Sequence, residues 1–475
     1  MNLNACAPPP PIDWDRYRRA IHQAELVRPT GRVTGLVGLT VEADGPSVQI
    51  GEYCVLEDLR SRRKVPAEVI GFRQGRVLLM PLGENAGIGP GWIVTATGQP
   101  PSIAVSATML GRVVDALGNP IDGGEAFPDT VTRPLSAHPP DPLSRPRITD
   151  RLNTGVRAID TLLTLGKGQR IGLFAGSGVG KSTLLGMIAR TSSADVNVVA
   201  LVGERGKEVR DFLDRDLGPE GRARTVAVVC TSDRPALLRL KAAVTATVIA
   251  EYFRDRGADV MLLVDSITRW ALAQREVGLA AGEPPTTRGF PPSVFAQLPR
   301  LLERAGRSAR GSITGVYTVL VEGDDLAEPI SDTCRAILDG HLVLARRLAS
   351  QGHYPALEVL ESVSRVAGDV LTPDEQALSF DVRELLATYH DSEDLIAVGA
   401  YKQGRSTEID RAVAAHDGLR GFLRQGIREV APAEEAWQNL ATIVTQAEQT
   451  VGSQQQSAEP APTRPERRAV PGHPA

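Results

Sequence analysis

The sequence predicts an α/β protein: a nucleotide-binding core built around a phosphate-binding loop (P-loop), preceded by a small β-barrel and followed by an α-helical domain. Three observations predict it. From about residue 150 to 375, apolar β-rich runs alternate with longer helical patterns, and such alternation buries a mostly parallel sheet between helices. One of those runs leads directly into a glycine-rich loop that opens a helix. Ahead of them, from Gly31 to Gln99, short Val/Leu/Ile-rich stretches are cut by turn signals at Ala43-Asp44-Gly45-Pro46, Gln74-Gly75 and Gly89-Pro90-Gly91, the pattern of a small barrel.

The elements follow in order. Residues 1–28 read as an arm in which Trp14, Tyr17, Arg18, Ile21 and Leu26 fall at helical spacings, an amphipathic segment suited to docking a partner. The barrel takes 29–100. Over 101–149, Pro128, Pro134, Pro139, Pro140, Pro142 and Pro146 crowd together; prolines donate no backbone hydrogen bond, so an extended connection without a regular ladder is expected. The core takes 150–375, with strands expected at Ile171–Phe174, Val196–Val202, Val226–Cys230, Val260–Val264 and Val316–Val321, and a helix at Ala236–Arg256. Residues 376–450 stay helical in pattern. From 451 to 475 the Gln, Pro, Ala and Ser content predicts a disordered tail.

Composition narrows the function. At 475 residues the chain exceeds what one core holds. Charged residues are 23%, aromatic residues 4% and the net charge −4, so neither a basic coat nor a stacking platform for nucleic acid is expected. Cys6, Cys54, Cys230 and Cys334 lie far apart without a CxxC pair, and the seven histidines show no ligand spacing; zinc cages and disulfide frameworks are not indicated. No apolar run approaches ~18 residues and Met1–Pro11 lacks a leader pattern, which predicts a soluble intracellular protein.

The chemistry centres on Ala175-Gly176-Ser177-Gly178-Val179-Gly180-Lys181-Ser182-Thr183. Its glycines let consecutive N–H groups turn around a β-phosphate, Lys181 reaches the β/γ oxygens and Ser182 ligates Mg²⁺. The expected ligand is therefore ATP with Mg²⁺. Ala175 stands where the strict pattern has its first glycine, which a methyl tolerates only at negative φ. Met261–Asp265 is an apolar run ending in a carboxylate, placing Asp265 at the ligand edge of a parallel sheet and in the magnesium shell. Val202-Gly203-Glu204-Arg205-Gly206 ends another such run. From the residues alone Glu204 reads as a solvated acid within Glu204–Arg210 more readily than as a base; Tyr354 reads as a core aromatic and Arg365 as a surface cation.

A resemblance changes those three readings. Ala175–Thr183, Leu201–Asp211 with its Gly203-Glu204-Arg205, Tyr354-Pro355-Ala356 and Ser362-Val363-Ser364-Arg365 resemble the hexameric ATPases related to the rotary ATP synthase α and β subunits. Within that group Ile171–Ala189, Ala271–Gly278, Gly282–Thr287, Tyr317–Asp325 and Ala400–Gly404 are similar to the ATPase of the bacterial flagellar type III export apparatus. The resemblance covers about Gly31 to Ile443. It implies a RecA-like core, Glu204 as the catalytic glutamate, Arg365 as an arginine finger for the neighbouring subunit, Arg205 beside the nucleotide, Tyr354 packing on the adenine and Phe422 lining that pocket. Glu358 departs from the usual Asp or Asn, and Tyr401-Lys402-Gln403-Gly404-Arg405-Ser406 replaces the acidic turn of a rotary β subunit.

The resemblance further implies a homohexameric ring, a negative regulator or stator-like protein at the arm, a central coiled-coil stalk protein, a membrane export gate, and export substrates with their chaperones. It places the chain in the cytoplasm, peripherally at the inner face of the membrane. An injectisome ATPase shares every catalytic residue and stays open as an alternative. A non-catalytic rotary subunit typically lacks the glutamate at Glu204, and an RNA-tracking helicase fits poorly with the net charge of −4.

Overall fold

The computed structural model describes residues 28–458 except 322, 324 and 326, together with 14, 17 and 18. The rest of the expected arm and the tail beyond 458 lie outside the described residues. The chain divides into two units, Met1–Pro101 and Ser102–Ala475.

In the first unit β1 (Thr30–Val37), β2 (Thr40–Asp44), β3 (Tyr53–Glu57), β4 (Lys64–Arg73), β5 (Arg76–Pro81) and β6 (Ile93–Ala96) close into a barrel in the order β1-β2-β5-β4-β3-β6. Alternation sets which face is inside: Val65, Ala67 and Val69 of β4 are buried with Leu56 and Val94, while their chain neighbours point outward. The Gln74-Gly75 signal is a two-residue hairpin with φ of 48° and 78°, the left-handed pair that matches strand twist.

In the second unit a nine-stranded sheet is the frame. Its labelled strands are β8 (Val113–Val114), β10 (Arg170–Ala175), β11 (Val196–Val202), β12 (Thr225–Cys230), β13 (Asp259–Asp265), β14 (Ser312–Leu320), β15 (Gly340–Leu344) and β16 (Val363–Ser364). They lie in the order β16-β15-β10-β14-β13-β11-β12-β8, all parallel except β16 and a short strand, Gly306–Arg307, beside β14. Ala175 pairs with Leu320 and Leu344, and Leu201 with Asp265, so the loop, Glu204 and Asp265 all emerge at one carboxyl edge.

The stretch 101–149 is more regular than its prolines predict. β7 (Ser102–Val105) pairs antiparallel with β9 (Val131–Pro134), and β8 joins the edge of the main sheet beside β12. Pro134 stands at the end of its strand opposite Ser102, a position where a missing N–H costs little.

Helices α1 (Lys181–Thr191), α2 (Ala236–Arg254) and α3 (Ile267–Ala281) cover the sheet, and α4 (Pro373–Ala397), α5 (Thr407–Leu423) and α6 (Ala433–Ala458) follow. A capping box starts α4, with Thr372 accepting from the Glu375 N–H and Glu375 reaching back. The boundary expected at 375/376 thus falls inside α4. One apolar cluster also runs from Ile171 and Leu185 of the core to Leu385, Leu419, Trp437 and Leu440 of these helices. The described part of the tail expected from 451 is helical, because α6 continues to Ala458 and buries Val451.

Candidate active site

The loop's conformation follows from its sequence. β10 is buried along Ile171–Ala175, and the chain then turns through Gly178 and Gly180 at φ of 79° and 95°. Ala175 is not among the positive-φ residues, so its methyl meets no strain in the place of the first glycine. Gly180 caps α1, and Lys181, Ser182 and Thr183 form its first turn. The unpaired N–H groups of a first helical turn suit an anion.

Three charged side chains converge beside that turn. Lys181 pairs with Asp265 Oδ1, and its Nζ lies 3.6 Å from Glu204 Oε1. Asp265 is 2% exposed and also accepts from Thr318 Oγ1 at 2.7 Å. Glu204 is buried at 6% exposure. Arg269 donates to its Oε2 at 3.3 Å and to the Gly203 carbonyl at 2.6 Å. Burial, a hydrogen bond with Glu208 and the nearby Asp265 raise the Glu204 carboxyl to about 7, against the opposing pull of Lys181 and Arg269. Glu204 therefore sits in the range where an acid exchanges protons at neutral pH.

Sequence and structure relatives fit this geometry. Residues 155–364 match the nucleotide-binding domain of the ATP synthase alpha/beta family, 33–98 its β-barrel domain, and 371–442 the T3SS EscN ATPase C-terminal domain. The chain is 53% identical to a flagellum-specific ATP synthase of Bacillus subtilis over 426 residues, 89% of this chain and 97% of that one. The chain belongs to the ATP synthase alpha/beta family, in its flagellar and type III secretion branch. It is also 48% identical to a type 3 secretion system ATPase of Xanthomonas euvesicatoria over 437 residues, 92% of this chain and 99% of that one. The assembled ATPase EscN of enteropathogenic E. coli superposes with a TM-score of 0.83 at 45% identity, covering 87% of this chain and all of that one. EscN bound to its central stalk EscO gives 0.81.

The other residues singled out from the sequence are placed unevenly. The Tyr354 ring lies beside the loop, 3.6 Å from where a β-carbon on Gly180 would stand, and is 45% exposed. Phe422 is turned away from solvent at 6% exposure, packed in the apolar cluster under the Arg157 guanidinium, so it offers little surface to an adenine. Arg205 is exposed at the start of a short helix, with Glu208 3.8 Å away. Arg365 stands at the opposite edge of the sheet from the loop: Ser364 pairs with Gly340, His341 with Gly172, and β10 runs on from there to Ala175.

Arg269, Thr318 and Glu208 are functional candidates the sequence reading passed over. Arg269 carried a signal, since a cation in the first turn of α3 opposes the helix dipole and needs an acid nearby. Nothing local marked Thr318.

The arrangement also fits a magnesium ion. Among the described residues, buried Glu204 Oε1 has no aligned hydrogen bond although two cations lie close, and Asp265 and Ser182 supply hard oxygen donors. Among the described residues no group of three or more His, Cys, Asp or Glu side chains could hold a metal by itself. Magnesium commonly takes one or two protein ligands and completes its shell with substrate phosphates and water.

Proposed function

We propose that this ATPase energises flagellar type III protein export, unfolding or releasing export substrates and their chaperones at a membrane gate, as a ring in which neighbours complete one another's sites. The observation that carries the shared site is the split of charge between sheet edges: Lys181, Asp265 and Glu204 at one, exposed Arg365 at the other.

The loop N–H groups and Lys181 hold the phosphates, and Tyr354 packs on the adenine. Glu204, oriented by Arg269, takes a proton from the water that attacks the γ-phosphorus, while the bond to the bridging oxygen breaks and ADP leaves. Magnesium held by Ser182 and the Asp265 shell would offset charge on the phosphate oxygens. Arg365 from the adjacent copy stabilises charge spreading over the γ-oxygens.

The flagellar role is supported by the motif strings and by the 53% identity to the Bacillus subtilis protein. The 48% identity to a type 3 secretion system ATPase favours an injectisome role as the second reading. The stalk partner is supported by the EscN–EscO assembly, and the regulator at the arm by the amphipathic pattern there. Among the described residues no helix is long and apolar enough to cross a membrane, so attachment at the inner face of the membrane would be peripheral from the cytoplasm.

Deleting the gene and assaying secreted hook and filament proteins tests the role. Flagellar export should fall while any injectisome secretion persists; the reverse pattern moves the chain to the second reading. Phosphate release by purified protein should rise steeply with protein concentration as rings form.

A further inference from the structure

Arg365 follows β16 at the edge of the sheet opposite the loop, and its side chain is exposed. An exposed arginine keeps many rotamers open, so the direction of its stem is set by the backbone that carries it. The groups that fix the backbone at Ser364 and Arg365 come from the residues leading into β10.

Gln169 is fully buried. Its Nε2 donates to Ser364 Oγ at 3.0 Å and to the Asp339 carbonyl at 3.2 Å, and its Oε1 accepts from the Gly166 N–H at 3.0 Å. The Arg365 N–H donates to that same Asp339 carbonyl at 3.0 Å. Ser364 Oγ in turn donates to the Thr164 carbonyl at 2.7 Å, which leaves it an acceptor toward Gln169. Arg170, the next residue, holds the Asp339 carboxylate through its backbone N–H at 3.0 Å and its guanidinium at 3.1 Å. A buried amide with every bond made stabilises any strand end. This one does so at both acceptors that flank Arg365, the serine before it and the carbonyl its own N–H shares. From Gln169 the chain continues along β10 to Ala175 and the phosphate loop, so the amide sits at the root of the strand that presents the nucleotide site.

We propose that Gln169 is a positioning residue for Arg365, its buried amide holding the backbone from Ser364 to Arg365 so that the guanidinium meets the γ-phosphate bound by the neighbouring copy. This inference rests on the shared-site reading above. A displacement of about 1 Å in a group that must meet a transition state costs up to roughly 100-fold in rate.

Gln169→Leu keeps the bulk and removes the three bonds. In full-length rings its kcat should fall roughly 10- to 100-fold with KM and the affinity for a fluorescent ATP analogue unchanged. Mixed rings then locate the defect. Combined with Glu204→Gln subunits, which carry an intact finger, Gln169→Leu subunits should regain activity; combined with Arg365→Ala subunits they should not, because no finger in such a ring is sound. Ser364→Ala, which removes one partner of the amide, should give the same pattern at smaller size, and it decides the matter if Gln169→Leu fails to assemble. Unchanged kcat, a rise in KM or loss of ATP binding, or no recovery with Glu204→Gln would overturn the proposal. Rings mixing Arg365→Ala with Glu204→Gln separate the two failures: if they recover and the Gln169→Leu rings do not, the positioning role alone is wrong, and if neither recovers, the shared site is wrong and the positioning role falls with it.

Discussion

The two edges of the central sheet are built from opposite kinds of side chain. At the carboxyl edge, Lys181, Asp265, Glu204 and Arg269 are buried or half-buried and already bonded to one another. At the far edge Arg365 is exposed, and among the described residues its guanidinium has only a 3.4 Å bond to the Arg335 carbonyl. Buried charges have to be matched within the chain, since desolvation without a partner costs several kcal/mol. An exposed arginine is under no such pressure. One edge is thus preorganised by its own chain, while the other holds an exposed charge that, on the proposed shared site, acts against a second copy.

Breaking the preorganised edge should have the largest effect. Lys181→Ala removes the ammonium proposed to hold the phosphates and leaves Asp265 buried without its cation; hydrolysis should drop to background and nucleotide binding weaken, followed by phosphate release and by titration with a fluorescent ATP analogue. Breaking the exposed edge should leave binding nearly intact yet slow turnover by roughly 10³ to 10⁵ in Arg365→Ala, as for arginine fingers, or about 4 to 7 kcal/mol of transition-state stabilisation. Were Arg365 only a surface ion-pair residue, the change would be within ~1 kcal/mol.

Glu204→Gln keeps the shape and loses the proposed base, so the rate should fall by roughly 10² to 10⁴ with ATP still bound. Co-assembling this variant with Arg365→Ala sharpens the contrast, because one interface in such a ring regains both groups. Mixed rings should recover part of the activity. Background rates in rings shown by pull-down to be mixed would mean that the two edges do not meet.

Acidity separates the edges further. Glu204 must be ionised to accept a proton, and its pKa stands at about 7. Below that value the ionised fraction falls tenfold per pH unit, so kcat/KM should climb with pH and level off above about 7. The residual rate of Glu204→Gln should show no such step. The smallest effect is expected for Thr318→Val, which removes the hydroxyl holding Asp265 Oδ1 at 2.7 Å. A hydrogen bond to a charged group contributes ~1.5 to 3 kcal/mol, so turnover should fall by at most roughly 10- to 100-fold with ATP affinity little changed.

Legibility followed the distance along the chain over which each feature is specified. The phosphate loop, its strand and its helix are contiguous, and covalent neighbours place Lys181 and Ser182 whatever the rest of the chain does. Alternation marked the barrel, and apolar runs marked five strands of the sheet, because each pattern is written within one element. Phe422 was carried over from a motif, although Ala412, Ala415, Leu419 and Phe422 fall on one helical face and are all buried; their spacing already argued for a core position.

The sequence by itself therefore determined the nucleotide-binding loop, the strand-ending acids and the barrel. Tertiary structure decided that Glu204 and Asp265 share Lys181, that Arg269 reaches Glu204 across 65 residues and Thr318 reaches Asp265 across 53, and that the terminal helices share one core with the sheet. It also decided that two valines at 113–114 extend the sheet. The physical reason is strand order: β14 lies between β10 and β13, and β11 beside β13, although the chain visits them in another sequence. Which side chains meet at the carboxyl edge depends on that order, and no local pattern encodes it.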